Sequence, residues 1–229
     1  MTLPQTPRGR LALGVLGAFL LVGAAAAPAR AGDRNQLTLG SWYRALRSPS
    51  ANAVTADNLS GGELAYARDL ALQPVPRLAV WAQGSFTWAG VQGRMFQTLD
   101  TDASVLGLSA GGRARYRLHE RVAAGARLDL GAARTRLHLE DAMGRTAEDA
   151  RWGAIATAAL GLDLLAIAGP RFALGARLEL GYTTAAAPAL TASPGGGDDD
   201  AILLPMREAS LGHLDLGGRW FGVSVVSQF

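Results

Sequence analysis

The chain contains repeated segments of about ten residues in which apolar and polar side chains alternate. In the segment 104–118, for example, Leu106 and Leu108 lie on one face, while Arg113 and Arg115 lie on the other. A period of two residues is the pattern of a β-strand whose faces meet different surroundings. The other segments with this pattern are 36–45, 61–71, 77–88, 122–134, 153–165, 171–182 and 219–229. The pattern therefore predicts an all-β fold of eight strands.

The composition of the two faces separates a membrane barrel from a soluble sandwich. In a soluble sheet the apolar face would form a core, which favours large branched side chains. Here the polar face places small residues beside each charge, as with Gly175, Arg177 and Glu179. A narrow barrel interior needs that mixture, because long side chains must fit beside small ones. The apolar face would then meet lipid.

The connections between the predicted strands alternate in length. The short links are 73–76, 119–121 and 167–170. The long links are 46–60, 89–103, 135–152 and 183–218. Outer-membrane barrels are built with short periplasmic turns and long outer loops. We therefore predict a transmembrane, antiparallel up-and-down β-barrel, with both chain ends on the periplasmic side because the strand number is even.

The first 31 residues have the features of a signal peptide. Arg8 and Arg10 precede an apolar run of 16 residues at 11–26, and Ala29-Arg30-Ala31 is a small-x-small cleavage site. The apolar run is short for a transmembrane helix, and Pro28 follows it. We expect residues 1–31 to be removed and residues 32–229 to form the outer-membrane β-barrel domain.

Charge and cysteine content narrow the possible functions. The chain has 22 basic and 19 acidic residues, and three of the basic ones lie in the predicted signal peptide, which leaves 19 of each sign. This balance gives no reason to expect nucleic-acid binding, which needs a basic patch. The chain has no cysteine, so neither disulfides nor a lipoprotein anchor are expected.

The C-terminal segment ends on an aromatic residue after strict alternation. The outward face of this segment carries Phe221, Val223, Val225 and Phe229. Such an ending resembles the signal by which the barrel-assembly machinery recognises outer-membrane proteins. Together with the eight segments, it makes residues 32–229 resemble the small eight-stranded barrels of the OmpA transmembrane-domain and OmpX type. The resemblance implies a Gram-negative outer membrane, with lipid and lipopolysaccharide around the barrel, and we expect a monomer.

The predicted inner face carries charges of both signs. These residues are Glu63, Arg113, Arg115, Arg117, Arg127, Asp129, Asp163, Arg177 and Glu179. Inward residues must pair with inward residues, so the turn after the fourth strand has an odd length. A three-residue turn would place Arg113 beside Arg127, and a five-residue turn would place it opposite Asp129; either brings a carboxylate near an arginine pair.

This charge pattern has two interpretations. Ion pairs could plug a barrel too narrow for a water channel, which would explain the presence of both signs, because a buried charge is costly unless it is paired. Alternatively, the pairs could form the gate of a narrow passive pore. We expect the closed lumen, and keep the narrow pore as the alternative.

Aromatic residues near the segment ends suit the girdles that straddle lipid and water. They are Trp42, Tyr43, Tyr66, Trp88, Tyr116, Tyr182, Trp220 and Phe221. Trp81 instead falls on the inner face of its segment, where lumen packing is expected.

Some eight-stranded barrels are lipid A-modifying enzymes, which need serine, histidine and an acid at the outer rim. His119 lies in a predicted periplasmic turn, and His138 lies beside Glu140 and Asp141 with no serine within several residues. His213 has Ser210 and Asp215 nearby, a cluster that arises easily by chance. We therefore expect no catalytic residues.

The fourth long link contains a run from Pro194 to Asp200 that is typical of a flexible, solvated tip. The three adjacent residues Asp198–Asp200 lack the spacing of a known calcium loop. We therefore expect no metal site and no cofactor. The function predicted is structural or surface-interacting, and the sequence does not identify the partner of the outer loops.

Overall fold

A computed structural model of the chain describes residues 35–46, 58–72, 74–95, 99–141, 144, 146–169, 172–186, 189–194 and 209–229. The predicted signal peptide and the Asp198–Asp200 run lie outside these residues, so the signal peptide stays a prediction. Among the described residues, none forms a helix of the length and apolar character needed to cross a membrane.

Ten β-strands make up the regular structure of the described residues. Their bounds are β1 Asn35–Leu46, β2 Asn58–Leu72, β3 Leu78–Met95, β4 Leu99–His119, β5 Val122–Asp141, β6 Thr146–Ala168, β7 Ala173–Ala185, β8 Ala189–Pro194, β9 Ala209–His213 and β10 Gly218–Gln228. Eight of them, β1 to β7 and β10, form a closed antiparallel ring in which each strand pairs with its neighbours in the chain and β10 pairs with β1. The predicted eight-stranded up-and-down barrel is confirmed.

The short strands β8 and β9 lie outside the ring. They pair with each other in the connection between β7 and β10. β8 also pairs with the beginning of β6, where Ala147 and Glu148 are opposite Pro194 and Ser193. The fourth predicted loop therefore contains a β-hairpin attached to one side of the barrel.

The stagger of the strands follows from the residue pairing around the ring. Successive partners are Gln36, Ala67, Gln83, Gly111, Asp129, Thr157, Thr183 and Gly218. Gly218 pairs in turn with Leu46, so the path returns to β1 ten residues beyond its start at Gln36. With a rise of about 3.3 Å per residue and a strand spacing of about 4.8 Å, this offset tilts the strands by about 40°.

A band of exposed apolar side chains encircles the barrel. Leu108, Leu130, Leu160, Leu180 and Val225 are each between 58% and 69% exposed. On β4 the band runs from Leu106 to Leu118, which at this tilt covers about 30 Å along the barrel axis. That height matches a hydrocarbon layer of about 30 Å, so the band spans a bilayer.

The two ends of the barrel chain meet at the same rim. The backbone N–H of Asn35 donates to the carbonyl of Phe229 at 2.7 Å, and the N–H of Phe229 donates back to Asn35 at 2.9 Å. The short connections lie at this rim too. The even strand number predicted this arrangement.

Two of the four long links were predicted wrongly. β3 continues to Met95 and β4 begins at Leu99, while β5 continues to Asp141 and β6 begins at Thr146. The second and third links therefore shrink to 96–98 and 142–145. The alternation of apolar and polar residues ends where the strands leave the lipid, because outward positions then carry charges, but the backbone pairing continues. We call the resulting extension the outer sheet; it comprises residues 90–95, 99–104, 134–141 and 146–151.

Candidate functional site

The barrel interior holds two groups of ion pairs, of which the lower lies nearer the chain ends. In the lower group Arg177, which is 1% exposed, donates through Nε to Asp163 Oδ1 at 2.5 Å and through Nη2 to Oδ2 at 3.2 Å. Arg177 also donates to Thr38 Oγ1 at 3.2 Å and to Gln36 Oε1 at 2.8 Å. Arg115 Nε lies 3.1 Å from Asp163 Oδ2. One buried carboxylate thus lies between two guanidinium groups.

The upper group joins strands on opposite walls of the barrel. Arg127 on β5 donates to both carboxylate oxygens of Glu63 on β2, at 2.5 and 2.9 Å. Arg113 on β4 forms an ion pair with Glu179 on β7. Arg127 Nε also lies 3.5 Å from Asp129 Oδ2. The lumen is therefore narrow enough for side chains to reach across it.

Neutral side chains complete the upper group. Gln83 Nε2 donates to Asp129 Oδ2 at 3.3 Å. The guanidinium of Arg127 lies 5.2 Å from the centre of the Trp220 ring, within the range of a cation–π contact. Small residues make this crowding possible, because a Cβ at Gly111 would collide with the backbone and carboxylate of Asp129.

The strand register decides between the two turn lengths considered for β4 and β5. Arg113 pairs directly with Arg127, as a three-residue turn requires, although the pairing shifts by one residue close to the turn itself. Asp163 and Arg177 are likewise direct partners, on β6 and β7.

Not all of the nine predicted lumen charges belong to these two groups. Eight of them, Glu63, Arg113, Arg115, Arg127, Asp129, Asp163, Arg177 and Glu179, belong to the two groups. Arg117 pairs with the buried residue Ala123 in the strand register, but its side chain is exposed near the turn at 120–121 and it belongs to neither group. At that height the strand ends open to water.

Sequence reasoning missed Arg44. It lies on the inner face of β1, donates to the carbonyl of Leu216 at 3.0 Å and to Thr183 Oγ1 at 3.1 Å, and stacks 4.6 Å from the centre of the Trp42 ring. The alternation of inward and outward side chains along β1 already indicated this position, because residue 44 lies on the same face as Gln36.

Two of the predicted girdle aromatics lie inside the barrel. Trp42 and Trp220 are buried, and Trp42 Nε1 donates to the carbonyl of Gly62 at 3.2 Å. In β1 and β10 the even-numbered residues face inward, and both tryptophans have even numbers. This alternation was a better guide to their side of the sheet than their position near the segment ends. The remaining six, Tyr43, Tyr66, Trp88, Tyr116, Tyr182 and Phe221, face outward and are exposed. Trp81 is buried in the interior, as its parity predicted.

An apolar layer lies above the ion pairs, towards the outer rim. This leucine cluster comprises Leu46, Leu59, Leu137, Leu139, Leu214 and Leu216. Leu59 and Leu137 are 0% and 1% exposed, so the layer is tightly packed. Leu214 and Leu216 come from the segment 214–217 before β10, which folds into the mouth of the barrel. These residues fall within the predicted long link 183–218, for which the sequence did not predict any packing into the barrel.

The interior cavities are small. One of about 40 Å³ is lined by Arg44, Arg127, Asp129 and Trp220 among others, and a second measures about 10 Å³. A buried water needs about 10–15 Å³ of such volume, so the larger cavity has room for about three water molecules. Asp129 Oδ1 and Trp220 Nε1 have no partner among the described protein atoms, and water in this cavity would satisfy them.

His119 and His138 lie apart from any described serine–acid arrangement. His119 Nδ1 accepts from the backbone N–H of Arg121 at 3.5 Å, and His138 Nδ1 lies 3.9 Å from Glu148 Oε2. Asp215 Oδ1 accepts from the N–H of Gly217 at 2.8 Å, while the side chains of Ser210 and His213 lie outside the described residues. Within the described part of the chain, no group of three His, Asp or Glu side chains is placed to hold a metal ion.

The closed ring, the lipid-facing apolar band and the charged interior define an outer-membrane β-barrel of the small eight-stranded type. No protein-family model and no curated protein matches the chain.

Solved outer-membrane barrels are similar to the chain in structure. Ail, the attachment invasion locus protein of Yersinia pestis, is 15% identical with a TM-score of 0.44, covering 86% of this chain and 98% of its own. The translocator domain of the autotransporter NalP from Neisseria meningitidis is 9% identical with a TM-score of 0.44, covering 96% of each chain. Neisserial surface protein A is 9% identical with a TM-score of 0.36, covering 86% of this chain and 94% of its own. Likeness at this level says nothing about activity or partners.

Proposed function

We propose that the protein is a non-enzymatic outer-membrane barrel with a closed lumen, which displays the outer sheet as a surface-interaction element. The observation that carries the closed lumen is the stacking of the leucine cluster on two groups of interior ion pairs, of which the upper one crosses the lumen. Breaking a buried pair leaves an uncompensated charge, which costs about 3–5 kcal/mol. A resting open pore would require several such breaks at once.

The outer sheet supports the interaction role because it holds a fixed surface clear of the lipid. Its outward face carries exposed ion pairs, Arg94 with Asp100 at 2.8 Å and Arg136 with Glu148 at 2.6 Å. Its inward face contributes Leu137 and Leu139 to the leucine cluster, which anchors it. A preformed sheet loses less entropy on binding than a flexible loop does.

One edge of the outer sheet is suited to pairing with an extended partner. Among the described residues, the backbone of Val91–Met95 on β3 pairs with β4 alone, since β2 pairs with β3 only as far as Gly90. An open strand edge presents unpaired N–H and carbonyl groups to another chain.

Planar-bilayer recording on the refolded mature chain tests the closed lumen. We expect no sustained currents from the wild type. The variant Leu137→Ala/Leu216→Ala should also be silent, because the ion pairs below the leucine cluster remain. Sustained, salt-dependent single-channel currents from the wild type would support the narrow pore and refute the closed lumen.

The interaction role is tested by replacing the outer sheet. In one variant, two-residue turns replace residues 92–102 and 135–150, and cells displaying it are compared with wild-type cells for adhesion to matrix and polysaccharide arrays. We expect adhesion to be lost while heat-modifiable gel mobility, a sign of a folded barrel, is kept. Equal adhesion would contradict the role. Mass spectrometry of lipid A should show an unchanged acyl pattern when the protein is present; an altered one would refute the non-enzymatic assignment.

A further inference from the structure

A groove of about 540 Å³ crosses the lipid-facing surface of β10, β1, β2 and β3. Ser41, Ser60 and Gly90 form its floor on the outward face. Its walls are the larger side chains Tyr43, Trp88, Phe221 and Val223.

The strand register produces this shape. Ser41 pairs with Gly62 on one side and with Val223 on the other, while Ser60 pairs with Gly90 and with Tyr43. Small residues thus adjoin each other and larger ones flank them. The indole of Trp88 lies over Gly62, where any Cβ would collide with it, so this glycine is needed to seat the ring.

The groove lies at the boundary between the apolar band and the polar region towards the outer rim. Two residues further along each strand towards the membrane centre, the lipid-facing side chains are apolar. They are Leu64, Leu39 and Val225. One step past the groove towards the outer rim, the outward row consists of Asn58, Ala45 and Arg219. In a bilayer this is the height at which a lipid headgroup joins its acyl chains.

The serines at the floor need an explanation, because they face lipid. A hydroxyl placed in hydrocarbon without a hydrogen-bond partner costs free energy. The carbonyl oxygens that link acyl chains to a lipid headgroup lie at this height and can accept from both hydroxyls. Arg219, exposed immediately above Phe221, offers a guanidinium for a headgroup phosphate.

We propose that this groove binds lipid A, the phosphorylated and acylated glycolipid of the outer leaflet. Arg219 pairs with a lipid A phosphate, Ser41 and Ser60 donate hydrogen bonds to acyl-linkage carbonyls, and one acyl chain lies between Trp88 and the Tyr43–Phe221 wall. The groove lies towards the rim opposite the chain ends; with the chain ends on the predicted periplasmic side, it meets the leaflet that contains lipid A. This inference depends on the barrel's location in the outer membrane and is independent of the closed lumen and the outer sheet.

Native mass spectrometry of the refolded mature chain tests the site, with purified lipid A and phosphatidylethanolamine as separate probes. We expect the wild type to prefer lipid A. Arg219→Gln should weaken lipid A binding about tenfold, since it removes a charged hydrogen bond. Ser41→Leu/Ser60→Leu, which fills the floor, should weaken it by a similar factor. The matched controls are Arg134→Gln, an exposed outward arginine on β5, and Ala158→Leu on the outward face of β6; both should bind like the wild type.

Three results would overturn the proposal, provided that heat-modifiable mobility shows each variant to be folded. Equal binding of the two lipids would reduce the groove to a general lipid contact. Unchanged lipid A binding by both groove variants would place the lipid elsewhere. A wild-type dimer that Ser41→Leu/Ser60→Leu dissociates would assign the groove to a second copy of the chain.

Discussion

Arg113 and Arg127 are direct partners across β4 and β5, yet each forms its ion pair with a carboxylate on a different and more distant strand. Arg113 reaches Glu179 on β7, and Arg127 reaches Glu63 on β2. Like charges placed directly opposite in a sheet repel each other, and these cross-lumen pairs offset that repulsion. These two ion pairs therefore connect four strands independently of the backbone hydrogen bonds.

Asp163→Asn should destabilise the barrel strongly. The substitution leaves Arg177 and Arg115 in the interior without their shared carboxylate, and the loss of one partner from a buried pair costs about 3–5 kcal/mol. Urea unfolding in lipid vesicles, followed by tryptophan fluorescence, measures the change. The control is Asp100→Asn, whose pair with Arg94 is 65% exposed on both sides, so the change should stay below about 1 kcal/mol. Equal losses in the two variants would show that burial of the pair does not matter.

Leu137→Ala should lower the free energy of unfolding by about 2–5 kcal/mol, because it leaves a cavity in the leucine cluster. Leu130→Ala on the same strand is the matched control. Leu130 is 63% exposed towards lipid, so acyl chains fill the space it vacates and the loss should be smaller. The same urea titration compares them, and a larger loss for Leu130→Ala would contradict a tightly packed layer.

Arg44→Met should loosen the segment 214–217 without unfolding the barrel. Methionine keeps the apolar stem but loses the hydrogen bond to the carbonyl of Leu216. Hydrogen–deuterium exchange should be faster in this segment and unchanged in the centre of β5. Arg134→Met serves as the control, and unaltered protection in Arg44→Met would mean that burial of Leu214 and Leu216 alone holds the segment.

The pKa of Glu148 should depend on Arg136. A hydrogen bond from Arg136 Nη2 at 2.6 Å holds the pKa of Glu148 below its ordinary value, with a smaller contribution from the charge of His138. Arg136→Gln should raise that pKa towards the ordinary value, as NMR titration of the carboxyl carbon would report. His138→Asn should raise it less.

The direction of the pH effect follows from the lowered pKa of Glu148. A carboxyl with a depressed pKa in the folded state contributes stability above its unfolded pKa and loses it as the pH falls through the folded value. Acidification through that window should therefore weaken the attachment of β5 to β6 in the outer sheet of the wild type. The Arg136→Gln variant should show a weaker dependence, and an unchanged pKa of Glu148 in it would contradict the assignment.

Phe229→Ala should reduce the amount of assembled protein in the outer membrane. Phe221, Val223, Val225 and Phe229 stay predicted as the assembly signal, and the first three are exposed on the outward face of β10. The alanine variant keeps the backbone pairing with Asn35, so refolding of the purified chain in detergent should be unaffected. Phe229→Tyr should restore the level in cells. Normal membrane levels of Phe229→Ala would refute the signal.

The alternation of the two faces along each strand predicted the fold and most of the interior residues. The side of one residue in an alternating segment fixes the side of all the others. This alternation placed Trp81 and eight of the nine predicted lumen charges inside. The errors at Trp42 and Trp220 arose where proximity to a segment end was preferred over parity. Arg44 has the same inward parity as these residues.

The distance by which each strand extends beyond the lipid could not be predicted in the same way. Alternation marks a strand only where its two faces meet different media. Above the lipid, outward residues such as Arg94 and Arg136 face water, so the contrast disappears while backbone pairing continues. The position of Leu214 and Leu216 could not be predicted either, because they lie between β9 and β10, outside the strands, and pack against residues that are distant in the sequence.

The unequal lengths of the strands make the two sides of the barrel differ in height above the lipid. Among the described residues, β3 to β6 rise far beyond the lipid, whereas β7, β10, β1 and β2 end closer to it. A lipid that diffuses in the plane of the bilayer meets the low side, and a partner that arrives from the medium first meets the high side. The proposed groove ends at Gly90 on β3 and the open edge of the outer sheet begins at Val91 on the same strand, so a bound lipid and a bound partner would be direct neighbours.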